Sequence, residues 1–319
     1  MSAPPLPAAV VLGTRASALA RAQAERVVTQ LTAAWQGLVC DVKPIDTHGD
    51  RTQASGEPLP EIGGKGLFTA ELELALRDGD IDVAVHSLKD LPTEDAPGVV
   101  LGAVCARDDV RDCLVARDGL ALHELPEGAV VGTSSLRREA QLLALRPGLE
   151  VRSIRGNVDT RVRKVREGEY DAVVLAAAGV RRLGLEGVVS EWLPATTMLP
   201  APGQGALAVQ CRAGDDRVLA LVAAIDDLST RAETEAERSF LRALGGGCSA
   251  PVGALAEIVG GGRVRLEALV ASVDGRGVVR VSGDGEPREL GERLARDALA
   301  GGADRILAAI LLRGQTRGV

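Results

Sequence analysis

The chain has 319 residues, enough for two or three domains with cores of their own, and 46% apolar with 25% charged residues is the mix of a globular protein. Aromatic residues make up only 2% and there are three histidines, which argues against a platform that stacks bases or sugars and against a histidine metal centre. The net charge of −7 disfavours a general nucleic-acid binder, and no apolar run reaches the ~18 residues of a membrane helix. The N-terminus, MSAPPLPAAV, has no basic region and no long apolar run, so no signal peptide is expected and the protein reads as cytoplasmic. Five cysteines (Cys40, Cys105, Cys113, Cys211 and Cys248) form no CxxC pair, which fits free thiols in a reducing compartment.

In chain order, AVVLG (9–13) reads as a buried strand. Ala18 to Leu31 follows as a helix with Ser17 as its N-cap. LVCDVKPI (38–45) is a strand, and GLFTAELELALRDG (66–79) an amphipathic helix stopped by Gly79. IDVAVHS (81–87), LVARD, AVVGT and LEVRSI are further strands, with helices at about 135–145 and 157–168. DAVVLAAAG (171–179) is a strand running into a helix. Strands alternating with helices predict parallel sheets covered on both faces. The style then changes. A helix is expected from about Thr230 to Leu244, capped by Ser229, then antiparallel strands in ALAEIVGG, RVRLEALVASV and GVVRVSG. Helices over Glu289–Ala300 and Ala303–Leu312 complete a smaller α+β domain. AAVVLGTRASALARAQ (8–23) also resembles GAVVGTSSLRREAQ (128–141), as two similar α/β domains would, although strand–turn–helix grammar alone can produce such a likeness.

Residues 132–166 run against the acidic total, with nine cations (Arg137, Arg138, Arg146, Arg152, Arg155, Arg161, Arg163, Lys164, Arg166) against Glu139, Glu150 and Asp159. Such a run is either a solvated helix face or a site for a small polyanion. GTSSLRR (132–138) sits at a strand-to-helix junction, where free N–H groups, the Ser134 and Ser135 hydroxyls and the helix dipole all favour an anion. Arg137 and Arg138 fall in the first helical turn, which the dipole disfavours for cations. A bound carboxylate or phosphate explains the pair better than helix stability does. LGTRAS (12–17) offers the same geometry with Arg15 and Ser17. Arg155 and Arg161, in RSIRGNVDTR, stand at the sheet edge where ligands of open α/β folds bind.

HSLKDLPT (86–93) ends another strand. Asp90 before Leu-Pro is ordinarily a turn former, but beside Lys89 at a ligand-binding edge its carboxylate could hold a cationic intermediate or shuttle a proton. GGKG (63–66) is not a phosphate-binding P-loop, since Leu59 stands where Gly is required and no Ser or Thr follows Lys65. GQGALA (203–208) matches a dinucleotide fingerprint only superficially, being followed by a strand. Cys248 follows three glycines, so its thiol is unshielded. A helix C-terminus just before it raises rather than lowers a thiol pKa.

Taken together the motifs resemble the porphobilinogen deaminase (hydroxymethylbilane synthase) family. GTRAS, THGD (47–50), GGKGLF, DVAVHSLKDLP, GTSSLRR, RSIRGNVDTR, EYDAVVLAAAGVRRLGL, LPAPGQGALAVQCR and GGGCSAPVG occur in order over about residues 10–255. The resemblance implies two periplasmic-binding-protein-like α/β domains around a cleft plus a smaller C-terminal α+β domain. Domain 1 would comprise 1–105 and 200–224, domain 2 residues 106–199, and domain 3 residues 225–319.

The resemblance also implies the reaction, a stepwise head-to-tail joining of four porphobilinogen molecules with loss of ammonia, followed by hydrolytic release of the linear tetrapyrrole. It implies a dipyrromethane cofactor joined by a thioether to Cys248, with no metal. Asp90 matches the catalytic carboxylate. Ser17, Lys89, Ser135, Arg137 and Arg138 match cofactor-side positions, together with Asp90. Arg15, Arg155 and Arg161 match substrate-side positions, and Lys65 and Phe68 fall in the family's mobile loop, about residues 51–67. A growing chain of carboxylate-bearing pyrroles accounts for an arginine-rich site in an acidic protein. The expected partner is porphobilinogen alone, with no nucleic acid or membrane, for a protein acting as a monomer. A non-enzymatic anion-binding protein of the same architecture is the competing reading, but it would need neither the glycine-flanked thiol nor an Asp beside a Lys.

Overall fold

The computed structural model describes residues 7–48, 69–245, 247 and 250–316. They fall into two compact units that exchange the chain at 108/109, 205/206 and 231/232. The first unit opens with β1 (Ala9–Arg15), α1 (Ala18–Ala34), β2 (Val39–Ile45), α2 (Ala70–Asp78), β3 (Val83–Ser87) and β4 (Val99–Val104). The second opens with β5 (Asp112–Ala116), β6 (Val130–Gly132), α3 (Leu136–Leu145), β7 (Glu150–Arg152), α4 (Val158–Arg166), β8 (Ala172–Ala176), α5 (Ala177–Arg182) and β9 (Glu191–Leu193). The chain returns to the first unit for β10 (Leu207–Arg212), α6 (Asp216–Val222) and the start of α7 (Leu228–Ala243). It ends in the second with β11 (Val252–Gly260), β12 (Arg263–Ala271), β13 (Val278–Gly285), α8 (Pro287–Ala298) and α9 (Asp304–Thr316).

In the first unit the sheet order is β2-β1-β3-β10-β4, with β1, β2 and β3 parallel and β10 antiparallel to both its neighbours. In the second it is β7-β6-β8-β5-β9, with β6, β7 and β8 parallel and β5 antiparallel to its neighbours. Both sheets are therefore mixed rather than wholly parallel, which corrects the expectation from alternating strands and helices. The orders coincide by role: three parallel strands, one antiparallel strand, one edge strand. In each, the antiparallel strand is the first laid down after the chain crosses from the other unit. The weak repeat at 8–23 and 128–141 falls on β1–α1 and β6–α3, the same position in both sheets.

The central strands are apolar on both faces because helices cover both. Val10, Leu12, Val83 and Val85 pack with Ala24, Val27 and Leu31 of α1, whose three- and four-residue spacing makes one apolar stripe. Ser17 caps α1 as expected, its hydroxyl oxygen accepting from the Ala20 N–H at 3.3 Å. Gly79 ends α2 at φ +80°, a left-handed turn that only glycine adopts without cost.

The C-terminal sheet, β11-β12-β13, is antiparallel as expected. Leu266, Ala268 and Val270 of β12 meet Phe240 of α7 and Leu290 and Leu294 of α8 in one core. A side chain at Gly291 would put its Cβ 2.4 Å from the Ala236 carbonyl, so α8 crosses α7 at backbone contact. The turn between β12 and β13 is as close to α3: a Cβ at Gly275 would lie 2.4 Å from the Ala144 nitrogen. α7 begins two residues earlier than expected, because Asp227 and not Ser229 caps it, its carboxylate accepting from the Thr230 N–H at 2.7 Å. GQGALA is a turn running into β10 rather than a helix.

Candidate active site

In the first unit, Arg15 ends β1 and the turn Leu88–Asp90 follows β3. The two strands are parallel, so both groups lie at the carboxyl edge of one sheet. Leu88 and Leu91 are buried on either side of Lys89 and Asp90, and the Leu88 N–H donates at 3.0 Å to the carbonyl of Ala206, just before β10. That anchorage leaves Lys89 half-buried and Asp90 exposed. Among the described residues the Asp90 carboxylate has no hydrogen bond or ion pair. Ser17 spends its oxygen on the helix cap and keeps its proton for donation.

His86 lies inside this edge. Its imidazole is buried, and burial together with the Arg15 charge pushes its pKa down to about 4 against an opposing contribution from the Gln210 side chain. It is therefore neutral at physiological pH. Lys65, Phe68 and Cys248 lie outside the described residues.

In the second unit the arginine pair departs from expectation. Arg137 and Arg138 are only 3% and 7% exposed, and their carboxylate partner comes from within the chain. Asp112, the first residue of β5 and fully buried, accepts from Arg137 Nη1 through Oδ2 and from Arg138 Nη2 through Oδ1, both at 2.8 Å. The remaining contacts are to backbone, Arg137 Nη1 to the Leu199 carbonyl at 2.7 Å and Arg138 Nη1 to that of Val174 at 3.0 Å. Gln204 Nε2 donates to Asp112 Oδ1 at 2.9 Å, and Gln141 exchanges two hydrogen bonds with the Leu199 backbone. Burial would raise the Asp112 pKa, but the two guanidiniums overcome it and hold the carboxyl well below its usual range.

Asp112 and Gln204 carry no local sequence signal. Their partners are 25 or more residues away, and only the sheet brings them together.

The internal carboxylate does not exhaust the pair. Two guanidiniums and one carboxylate leave a buried charge of +1, and the buried Nε of each arginine has no hydrogen-bond partner. Beside them Ser135 precedes the first turn of α3 without a side-chain cap hydrogen bond. An anion of carboxylate size would satisfy what is left over.

The rest of the basic run is not one patch. Arg146 binds the Leu122 and Leu125 carbonyls, while Arg152, Arg163 and Lys164 pair with Glu150, Glu167 and Glu169. Arg161 folds back on the Gly156 carbonyl at 2.8 Å, bracing the loop that carries Arg155. Ser134 ties the turn after β6 to the turn after β7 by accepting from the Ile154 N–H and donating to its carbonyl.

Residues 10–220 match the family model described as porphobilinogen deaminase, dipyromethane cofactor binding domain, and residues 232–300 match the porphobilinogen deaminase C-terminal domain. The chain belongs to the porphobilinogen deaminase family. It is 50% identical to the porphobilinogen deaminase of Roseiflexus castenholzii over 94% of this chain and 98% of that one. It is 47% identical to that of Brevibacillus brevis, over 94% and 97%. With that of Mycobacterium avium the figure is 49%, over 93% and 96%.

Membership makes the protein a transferase of tetrapyrrole synthesis, a hydroxymethylbilane synthase with dipyrromethane as its cofactor. It also sets aside the anion-binding alternative. The second unit fits this cofactor: the spare +1 charge, the two unpartnered Nε–H groups and the Ser135 hydroxyl suit a ligand whose pyrroles carry carboxylates.

Proposed function

We propose that Asp90 is the catalytic carboxylate of porphobilinogen condensation, that Cys248 anchors the dipyrromethane, and that Arg137, Arg138, Ser135, Ser17 and Lys89 hold it. Arg15, Arg155 and Arg161 take the carboxylates of porphobilinogen, and Lys65 and Phe68, outside the described residues, are assigned to substrate binding with them. The observation that carries this reading is the Asp90 carboxylate, exposed at the carboxyl end of β3 and unpaired among the described residues.

When bound, the dipyrromethane supplies the free pyrrole α-carbon on which the chain is extended. Asp90 does the electrostatic work. It accepts hydrogen bonds from pyrrole N–H groups and offsets the positive charge that develops on porphobilinogen as ammonia leaves. It then receives, directly or through water, the proton released from the α-carbon. Lys89 supplies a compact cation for a carboxylate, and Arg15 and Arg155 supply planar guanidiniums.

The assignment of the anchor is consistent with the other thiols. Cys105, Cys113 and Cys211 are buried, the last two within β5 and β10, and burial pushes Cys113 and Cys211 up to about 12, beyond easy ionisation; Cys40, half-buried in β2, is also raised, by burial and the Asp41 charge. The protein is read as a cytoplasmic monomer acting on porphobilinogen without nucleic acid or membrane.

The deciding experiment is the intact mass of the denatured protein beside a Cys248→Ala control. A covalent excess of two porphobilinogen units less two ammonias, absent in the control, is expected. An unmodified mass that stays unmodified after incubation with porphobilinogen would remove the anchor.

A further inference from the structure

We infer that Asp112 is a positioning residue for cofactor assembly: acting through Arg137 and Arg138, it holds the two guanidiniums in register and leaves their Nε–H groups for the carboxylates of the dipyrromethane. The inference rests on the reading that the arginine pair holds the cofactor.

The geometry is that of a spacer. Each carboxylate oxygen is committed to a different arginine at 2.8 Å, so the place of one guanidinium fixes the place of the other. Arg137 Nη1 is shared between Asp112 and the Leu199 carbonyl, while Arg138 is pinned through its other terminal nitrogen by the Val174 carbonyl, and the two carbonyls belong to different segments of the same unit. Gln204 donates to Oδ1 and fixes the rotation of the carboxylate itself. Buried ion pairs and triads can often be replaced by apolar residues with little loss of stability, so ion pairing alone does not account for this cluster. Here the two guanidiniums exceed the one carboxylate by a charge, and each keeps an unpartnered Nε–H group.

Without Asp112, two adjacent buried cations would repel. With it, their ordering is complete before the ligand arrives, which is where preorganised sites gain affinity.

The test is a double-mutant cycle on cofactor loading, with wild type, Asp112→Asn, Arg138→Lys and the double variant. The readout is the fraction of chains carrying the covalent mass excess, as purified and over time with porphobilinogen, at matched concentrations of protein shown to be folded by its melting transition. Each single variant should slow loading by about tenfold or more, the scale of one lost charge-assisted hydrogen bond. The double variant should be little slower than Arg138→Lys alone, because Asp112 acts through the arginine. A residue that only stabilised the fold would lower the melting temperature and add its effect to that of the arginine, and additive slowing therefore overturns the inference. Normal loading by Asp112→Asn beside impaired loading by Arg138→Lys overturns it while leaving the arginine reading intact. Normal loading by Arg138→Lys overturns both. Should Asp112→Asn not fold, Asp112→Glu keeps the charge but moves the carboxylate by one methylene, and takes its place with the same expectations.

Discussion

Asp90 and Asp112 are the same side chain used in opposite ways. Asp112 is buried and saturated, and holds other groups, whereas Asp90 is exposed and unpaired, and is free to meet a substrate. Asp90→Asn should therefore keep the melting temperature and the covalent mass excess while lowering kcat by about 10²-fold or more, the usual scale for a lost acid–base group; full turnover in that variant would end the assignment. His86 makes a separate prediction. Its folded pKa of about 4 lies below the ordinary 6.5, so between those values the unfolded chain binds the proton and the folded one does not. Its contribution is complete above pH 6.5 and is lost as the pH falls toward 4, by about 3 kcal/mol at the limit. Denaturant midpoints measured from pH 7 to 4 should fall less steeply for His86→Gln than for wild type. At this scale the sequence was half legible. The helix dipole predicts a bound anion near Arg137 and Arg138, whereas the carboxylate the structure shows there is Asp112, 25 residues earlier on β5, and nothing local announces it.

Helices and turns were easier to read, because their signals are local. Ser17 and Gly79 marked the start of α1 and the end of α2, and the structure shows the cap bond and the left-handed turn responsible. α7 shows where such signals stop. Asp227 and Ser229 are both good caps two residues apart, and the choice depends on backbone angles that composition does not carry. Replacing Asp227 by Ala should cost about 1 kcal/mol. Gly79→Ala should cost a similar amount, since it forces a side chain into a left-handed turn with open space around it. Gly291→Ala should cost more, about 1–3 kcal/mol from overpacking, because its Cβ would meet backbone rather than a side chain that can move. Urea midpoints of the three variants, compared at one pH, check the ranking. Equal losses would mean that α8 can slide away from α7.

Over the whole molecule, the two-sheet plan was visible in a faint repeat, but the reversed strand in each sheet was not. β5 and β10 look like any buried apolar run, and direction is set by where the chain comes from. Their placement sets the distances that folding must close. β10 pairs Leu207 with Ser87, 120 residues away, whereas β5 pairs Ala116 with Ala172, 56 away. Pulsed hydrogen exchange during refolding should therefore protect the amides of β5 and β8 before those of β3 and β10. Simultaneous protection would show that loop length does not set the order. The same placement matters on the ribosome. Every strand of the second sheet has been synthesised once residue 193 has emerged, but the first sheet lacks the strand between β3 and β4 until residue 212. The middle of this protein can be finished while its beginning still waits, with the edge of β3 unpaired and open to a chaperone or to another nascent chain.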